Sequence, residues 1–196
     1  MKRFDAINRI AEVLTEEFVI CNIGIPSKEL YHLRDRPQNF YMMGSMGLAS
    51  SIALGLAISQ PRKKVWCIDG DGSILMNLGS LSTIANVNPG NLTLIVIDNE
   101  SYGSTGDQCT HTHNNTNLEI IAEGAGFKSI VKITKGEEIK NILKDLGKGC
   151  HFVLIKTKPG SALVNNIPLK PIEIKNRFMQ SFTKNYTNFN KQCQKK

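Results

Sequence analysis

The chain has 196 residues, 41% of them hydrophobic, and a formal net charge of +7. This length predicts one domain with a substantial core over residues 1–182, and the Asn, Lys and Gln content of residues 183–196 predicts a disordered tail. The basic residues are spread along the chain rather than interleaved with aromatic residues, which argues against a nucleic-acid partner. We interpret the charge as favouring solubility and small anionic substrates.

The cysteines are dispersed and odd in number, at Cys21, Cys67, Cys109, Cys150 and Cys193. Without a CxxC pair they predict reduced thiols and argue against a zinc or iron–sulfur site. No continuous apolar core follows Lys2-Arg3, as a signal peptide requires, and no apolar run is long enough to cross a bilayer. The sequence therefore predicts a cytoplasmic protein without a membrane partner.

Helical and strand patterns alternate along the chain. Helices are predicted within residues 1–18, at 28–33 with Ser27 as N-cap, up to residue 58, and at 74–85, 118–124, 136–146 and 171–182. Strands are predicted at residues 18–23, 65–68, 92–97, 128–133 and 152–156. This alternation predicts an α/β fold, with a parallel sheet flanked by helices on both faces.

Two predicted strands end in polar turns, one in Asp69-Gly70-Asp71-Gly72-Ser73 and the next in Asp98-Asn99. The carboxyl ends of parallel strands meet at one edge of the sheet, so both turns are expected at one crevice. The glycines allow close backbone approach, and the helix predicted to begin at Ser73 favours phosphate. The carboxylate of Asp71 and the amide oxygen of Asn99 suit Mg²⁺.

Other glycine-containing motifs fit these residues poorly. A calcium EF-hand beginning at Asp69 needs Gly and Glu where this chain has Ile74 and Ser80. A dinucleotide fingerprint needs a third glycine at Leu75, and a GxxxxGK motif is missing. A glycine turn with Ser73 as a simple helix cap stays open as an alternative.

GDGS, followed by an amphipathic helix and an apolar strand ending in Asp-Asn, resembles the cofactor motif of thiamine diphosphate enzymes. This resemblance implies a thiamine diphosphate-binding domain in which the side chains of Asp71 and Asn99 and the main-chain carbonyl of Ser101 bind Mg²⁺. Asp98 stands where many members of the family have a first Asn. Further cofactor contacts are implied for Gly70, Gly72, Ser73 and Tyr102, and as second-rank candidates for Gly24 and Ser27.

Gly44-Ser45-Met46-Gly47 resembles the family's aminopyrimidine loop. There Met46 matches the apolar wedge beneath the cofactor and Gly44 the carbonyl that accepts from its amino group, although a methionine in the core is an open alternative. The polar residues 100–114 predict a loop that covers the site, with Gln108 and Thr110 as candidate substrate or cofactor contacts. The alternating Cys109, His111 and His113 lack a second ligand pair and do not predict a metal site.

Over residues 19–159, the stretches GSMGLASSIALGLA, CIDGDGSILMNLGSL and YGSTGDQ resemble the sulfopyruvate decarboxylase beta subunits. The carboxyl halves of phosphonopyruvate decarboxylases are more distantly similar. The resemblance implies a lyase that converts sulfopyruvate to sulfoacetaldehyde and CO₂ in coenzyme M biosynthesis. The alternatives are decarboxylation of phosphonopyruvate, action on another 2-oxo acid as a decarboxylase or carboligase, and a non-catalytic cofactor-binding scaffold.

In this family, the glutamate that activates thiamine diphosphate lies on a separate pyrimidine-binding domain. No such domain fits in 196 residues beside the predicted one. The resemblance therefore implies that the chain acts with a partner alpha subunit, in a hetero-oligomer that completes the active site.

Overall fold

The computed structural model describes the backbone of residues 1–193 and the side chains of residues 1–182. The helices are α1 Arg3–Val13, α2 Ile25–Arg34, α3 Ala49–Ser59, α4 Asp71–Met76, α5 Gly79–Val87, α6 Leu118–Ala125, α7 Gly136–Asp145 and α8 Pro171–Cys193. The strands are β1 Phe18–Cys21, β2 Asn39–Tyr41, β3 Val65–Gly70, β4 Asn91–Asp98, β5 Ser101–Tyr102, β6 Gln108–Cys109, β7 Ser129–Ile133 and β8 Gly149–Lys156.

Six of the strands form one parallel sheet in the order β2-β1-β3-β4-β8-β7. The chain leaves β1 towards one edge of the sheet and returns to β3 on the other side of β1, so the strand order reverses between these two strands. In open parallel sheets, ligands bind outside the carboxyl ends of the strands at such a reversal. The topology thus directs attention to the ends of β1 and β3.

Apolar side chains cover both faces of the sheet. On one face, α3, α4, α5 and α6 contribute to the core, for example with Ala53, Ile74 and Leu81. On the opposite face, α1, α2 and α7 contribute Ile10, Leu30 and others to a second core. Because parallel strands are buried on both faces, β4 is an almost continuous apolar run. The predicted α/β fold with helices on both faces is confirmed.

The helix predicted over residues 74–85 is instead two helices, α4 and α5. The break lies at Asn77, whose backbone leaves the helical region at φ −146° and ψ 54°. Its side-chain amide donates to the carbonyl oxygen of Gly47 at 2.9 Å, which compensates for the interrupted helix. The first of the two helices begins at Asp71, two residues before the predicted start at Ser73.

The predicted N-cap of α2 was also wrong. The N-cap residue is Gly24, with φ +78°, and Ser27 lies inside the first turn of the helix. At the other end of the chain, α8 extends to Cys193, and the predicted disorder of residues 183–196 stays a prediction. Residues 194–196 of that predicted tail lie outside the described residues.

Within residues 1–193, no helix combines the length and apolarity needed to span a membrane.

Candidate active site

A cleft lies at the carboxyl edge of the sheet, at the reversal between β1 and β3. Its walls come mainly from four segments: the turn after β1, the turn between β3 and α4, the end of β4, and residues 101–104. Arg3 of α1 and Met46 complete the lining. The predicted cofactor residues that line it are Gly24, Met46, Gly70, Asp71, Gly72, Ser73, Asn99, Ser101 and Tyr102. Residues that are 75 positions apart in the sequence therefore meet at one site, as the parallel topology predicts.

The turn between β3 and α4 is hydrogen-bonded to the loop of residues 44–47, which lies beside it. The Ser73 hydroxyl oxygen accepts from the amide of Gly47 at 3.0 Å. The loop of residues 44–47 is thereby fastened directly to the GDGS turn. Burial raises the pKa of the Asp69 carboxyl to about 6, partly countered by its hydrogen bonds with Ser73 and the amide of Gly70.

The carboxylate of Asp71 is held on one side by two hydroxyl groups. Its Oδ2 atom lies 2.5 Å from the hydroxyl of Thr110 and 3.1 Å from that of Thr112. The Thr112 hydroxyl also lies 2.8 Å from Oδ1 of Asp98, so it joins the two carboxylates. Burial raises the pKa of Asp71, against the lowering effect of the threonine hydrogen bonds. One carboxylate oxygen of Asp71 is thus fixed by the protein, which leaves the other for a ligand.

The turn after β4 is held by a lysine from the neighbouring strand β8. Lys156 Nζ donates to Oδ2 of Asp98 at 2.8 Å and to Oε1 of Glu100 at 2.6 Å, so it binds the residues on both sides of Asn99. Glu100 adopts a positive φ of +59°, which is uncommon for a residue with a side chain. These contacts hold the backbone in the conformation that turns Asn99 into the cleft.

Two buried polar atoms in this cleft have no hydrogen-bond partner among the described residues. They are Nδ2 of Asn99 and Oδ2 of Asp69. A buried polar atom without a partner costs about 1–3 kcal/mol, so such atoms usually mark a place where a ligand or water binds. The unpartnered Nδ2 of Asn99 is a donor and suits a phosphate oxygen. The amide oxygen of Asn99, the second carboxylate oxygen of Asp71 and the carbonyl of Ser101, which line the same cleft, are of the type that Mg²⁺ prefers. The residues present therefore fit a metal–diphosphate group.

The ring of Tyr102 lies very close to the backbone of the GDGS turn at Gly72. A Cβ atom at this position would lie 2.3 Å from the Tyr102 ring, far inside van der Waals contact. The absence of a side chain at Gly72 thus lets the ring of Tyr102 cover the GDGS turn. This is the close approach that the glycines of the turn predict, although here the approaching group is an aromatic side chain.

Other predicted residues lie outside the lining of the cleft. Ser27 is buried behind it and its hydroxyl contacts the carbonyl oxygens of Cys21 and Asn22 at 3.2 and 2.7 Å. Thr110 is likewise buried and reaches the cleft only through Asp71. Gln108 is exposed and exchanges hydrogen bonds with Thr105.

The other predicted residues of the two loops, Gly44 and Ser45, are exposed. Gly44 and Ser45 lie at the surface beside Met46, and Ser45 has a φ of +60°. The loop of residues 100–114, which was predicted to cover the site, forms the short antiparallel pair β5–β6 and a 3₁₀ turn at His111–His113. His113 pairs with Glu100 at 3.3 Å, so its ring contacts the Lys156 network rather than a neighbouring cysteine.

Sequence reasoning missed three residues of the site. Asn22 and Arg3 line the cleft, and Thr112 joins the carboxylates of Asp71 and Asp98. The sequence does indicate Asn22, since it is the first polar residue after the buried strand β1. It does not indicate Thr112, because the position of this residue depends on the β5–β6 hairpin that returns the chain to the GDGS turn.

Comparison with known proteins agrees with this geometry. Residues 22–157 match the family model of the C-terminal thiamine pyrophosphate-binding domain of thiamine pyrophosphate enzymes. This range contains the turns after β3 and β4 that line the cleft. The fold is also similar to a 2-oxoglutarate:ferredoxin oxidoreductase from Magnetococcus marinus, with a TM-score of 0.69 over 84% of this chain and 64% of that one. At 19% identity, that similarity concerns the fold alone.

Closer relatives are known by sequence. The chain is 53% identical to the sulfopyruvate decarboxylase subunit beta of Methanocaldococcus jannaschii over 92% of this chain and 96% of that one. It is 47% identical to the subunit of the same name from Methanothermobacter thermautotrophicus, over 92% and 95% of the two chains. A phosphonopyruvate decarboxylase from Streptomyces viridochromogenes is 37% identical over 90% of this chain but only 45% of that protein. The chain belongs to the thiamine pyrophosphate enzymes and, within them, to the family of sulfopyruvate decarboxylase beta subunits.

Proposed function

We propose that this chain is the beta subunit of a thiamine diphosphate- and Mg²⁺-dependent decarboxylase. Its substrate would be sulfopyruvate, and its products sulfoacetaldehyde and CO₂, in coenzyme M biosynthesis. The observation that carries the proposal is the 53% identity to a sulfopyruvate decarboxylase subunit beta over nearly the full length of both chains. The cleft at the reversal between β1 and β3 provides a matching site.

In this proposal the chain's own residues bind and orient the cofactor. The carboxylate of Asp71, the side chain of Asn99 and the main-chain carbonyl of Ser101 would hold Mg²⁺, and the amides at the start of α4 would bind the diphosphate. Met46, which lines the same cleft, would support the cofactor from below. When bound, thiamine diphosphate supplies the electron sink that lets a 2-oxo acid lose CO₂.

The proposal includes an alpha subunit that carries the pyrimidine-binding domain and the activating glutamate. In support, three large apolar side chains near the loop of residues 44–47 are exposed: Leu48 is 44% exposed, Ile52 38% and Met76 61%. Met76 lies against Gly47, next to the loop that contains Met46. Apolar side chains clustered in this way favour a protein partner.

We also propose a cytoplasmic location. The described cysteines are all free, and three of them are buried: Cys21, Cys67 and Cys150. Free thiols are typical of proteins from reducing compartments.

The function can be tested by producing the chain together with an alpha subunit and measuring CO₂ release. Sulfopyruvate should be decarboxylated only by the mixture, and only when thiamine diphosphate and Mg²⁺ are present. Phosphonopyruvate and pyruvate serve as competing substrates in the same assay. Faster turnover of phosphonopyruvate would favour the second candidate, which the 37% identity to a phosphonopyruvate decarboxylase supports. Cofactor binding without turnover of any 2-oxo acid would favour a non-catalytic subunit.

A further inference from the structure

A second cavity lies at the opposite end of the sheet from the cofactor cleft. It has a volume of about 480 Å³ and is bounded by the amino ends of β3, β4 and β8 and by the segment that joins α7 to β8. Because β4 is eight residues long, the two sites are roughly 25 Å apart. Pockets that bind small organic ligands typically have volumes of roughly 300–1,000 Å³, so this cavity is large enough for one.

The floor of the cavity combines an aromatic ring with a hydroxyl group. Trp66 on β3 and Thr93 on β4 are neighbours in register, so their side chains stand side by side on one face of the sheet. Each is only 5% exposed, and both line the cavity. Neither the indole N–H nor the hydroxyl has a hydrogen-bond partner among the described residues, and neither is among the fully buried polar atoms. Leu143 and Leu146 of the α7 segment add apolar surface to the wall.

The rim of the cavity is strongly basic. Arg62, Lys63, Lys64 and Lys148 line it, and the described lining includes no Asp or Glu. Within residues 1–182, none of these four side chains forms an ion pair. Four unpaired cations around one cavity create a positive potential that attracts multiply charged anions.

The loop that carries three of these cations is held in place by one side chain. The amide of Asn91 points at three carbonyl oxygens of the preceding segment, those of Ala57 at 3.2 Å, Gln60 at 3.1 Å and Lys63 at 2.7 Å. Asn91 is itself a lining residue at the start of β4. The basic rim is therefore attached to the sheet rather than to a free loop, and its position relative to Trp66 is fixed.

We propose that this cavity binds an aromatic ligand bearing phosphate groups, of the nucleotide class, as a site separate from the cofactor cleft. The ring of the ligand packs against the small accessible part of Trp66 and against the half-buried Leu146. Thr93 and the indole N–H offer hydrogen bonds, and the phosphates contact the cations of the rim. A phosphate-free nucleoside or an isolated diphosphate would use only half of these contacts.

Trp66 is the single tryptophan of the chain, so its fluorescence reports on this cavity without interference from another indole. The experiment titrates the full-length chain with ADP, adenosine and inorganic pyrophosphate and follows Trp66 emission, with calorimetry as a second measure. We expect ADP to change the emission and to bind at least about tenfold more tightly than either fragment. Binding of pyrophosphate as tight as that of ADP, or no response and no binding heat with ADP, would overturn the proposal.

Two matched pairs of substitutions test whether ADP binds in this cavity. Replacing two rim cations, Arg62→Gln with Lys148→Gln, should weaken ADP binding about tenfold. Replacing two exposed cations elsewhere, Lys128→Gln with Lys175→Gln, removes the same charge and should leave it unchanged. If the two pairs weakened ADP binding equally, the binding would come from the overall positive charge of the protein, and a defined site would be contradicted.

Two further controls separate this cavity from the cofactor cleft and from a subunit interface. The Asp71→Asn change lies at the other end of the sheet and should leave the ADP response of Trp66 intact, and loss of the response would place ADP in the cofactor cleft. The same titration on the complex with the alpha subunit should give the same affinity. Loss there would overturn the proposal, because the cavity would then belong to the interface.

Discussion

Replacing Asp71 by asparagine should move protein stability and cofactor binding in opposite directions. In the protein without Mg²⁺, Asp71 is a buried carboxylate that shares the Thr112 hydroxyl with a second buried carboxylate, Asp98. Asparagine keeps the size of the side chain and an oxygen that accepts from Thr110 and Thr112, but it removes the charge. We therefore expect the metal-free variant to be more stable than the natural protein and unable to hold the metal.

The magnitude follows from the geometry. The nearest carboxylate oxygens of Asp71 and Asp98 contact the same hydroxyl oxygen at 3.1 and 2.8 Å, so they are at most about 6 Å apart. At an effective dielectric constant of about 20, two unit charges at this distance repel by about 3 kcal/mol. Lys156, 2.8 Å from Asp98, offsets part of this repulsion. The net gain in the free energy of unfolding should be about 1–2 kcal/mol at neutral pH.

The pH dependence of this gain has a defined sign. The folded protein raises the pKa of Asp71 above its unfolded value, so ionised Asp71 lowers stability at neutral pH. This cost decreases as the pH falls through the folded-state pKa and disappears below the unfolded value of about 3.9. The stability advantage of Asp71→Asn should therefore be largest at neutral pH and vanish in acid.

The assay compares urea unfolding of the two metal-free proteins with calorimetric titration of thiamine diphosphate in the presence of Mg²⁺. Asp71→Asn should gain stability while its cofactor affinity, measured in the complex with the alpha subunit, falls more than about 100-fold. Asp145→Asn, an exposed change at the end of α7, serves as the matched control and should alter neither quantity. If Asp71→Asn lost stability, or bound the cofactor as tightly as the natural protein, the reasoning would be refuted.

Three more predictions address the supports of the site. Lys156→Met should weaken Mg²⁺-dependent cofactor binding about tenfold by calorimetry, because it releases the turn around Asn99; unchanged affinity would contradict that role. Gly47→Ala should lower the free energy of unfolding in urea by about 1–3 kcal/mol, since Gly47 has φ +90°, whereas Gly55→Ala inside α3 should raise it by about 0.5–1 kcal/mol. Among the described thiols, exposed Cys109 should alkylate in the folded protein before the buried ones, as peptide mass mapping would show. Burial raises the pKa of each buried thiol: Cys21, Cys67 and Cys150.

The meeting of the GDGS turn with Asn99 could be predicted because it depends on local patterns. A buried apolar run identifies a strand, the polar residues after it mark its carboxyl end, and parallel strands bring such ends together. The cleft that contains Asp71 and Asn99 follows from these three facts without any knowledge of long-range contacts. The same reasoning gave five of the six strands of the parallel sheet and most of the helices, but it missed the short strands β2, β5 and β6.

Features that depend on long-range contacts could not be predicted in this way. The residues around Ile74 and Leu81 share one helical period, but Asn77 interrupts it by bonding to Gly47, 30 residues earlier. Thr110 and Thr112 were placed in a loop, and only the β5–β6 hairpin brings their hydroxyls to Asp71. In each case a side chain satisfies a distant polar group, and hydrophobic periodicity contains no information about that contact.

The central claim is that this chain supplies the metal and diphosphate half of a shared active site. It is tested most directly by calorimetric titration of thiamine diphosphate with Mg²⁺ into the chain alone, and then into its mixture with the alpha subunit. We predict tight, Mg²⁺-dependent binding to the mixture, abolished by Asp71→Asn in this chain. Absence of binding in both samples, or binding that does not depend on Mg²⁺ and Asp71, would contradict the claim.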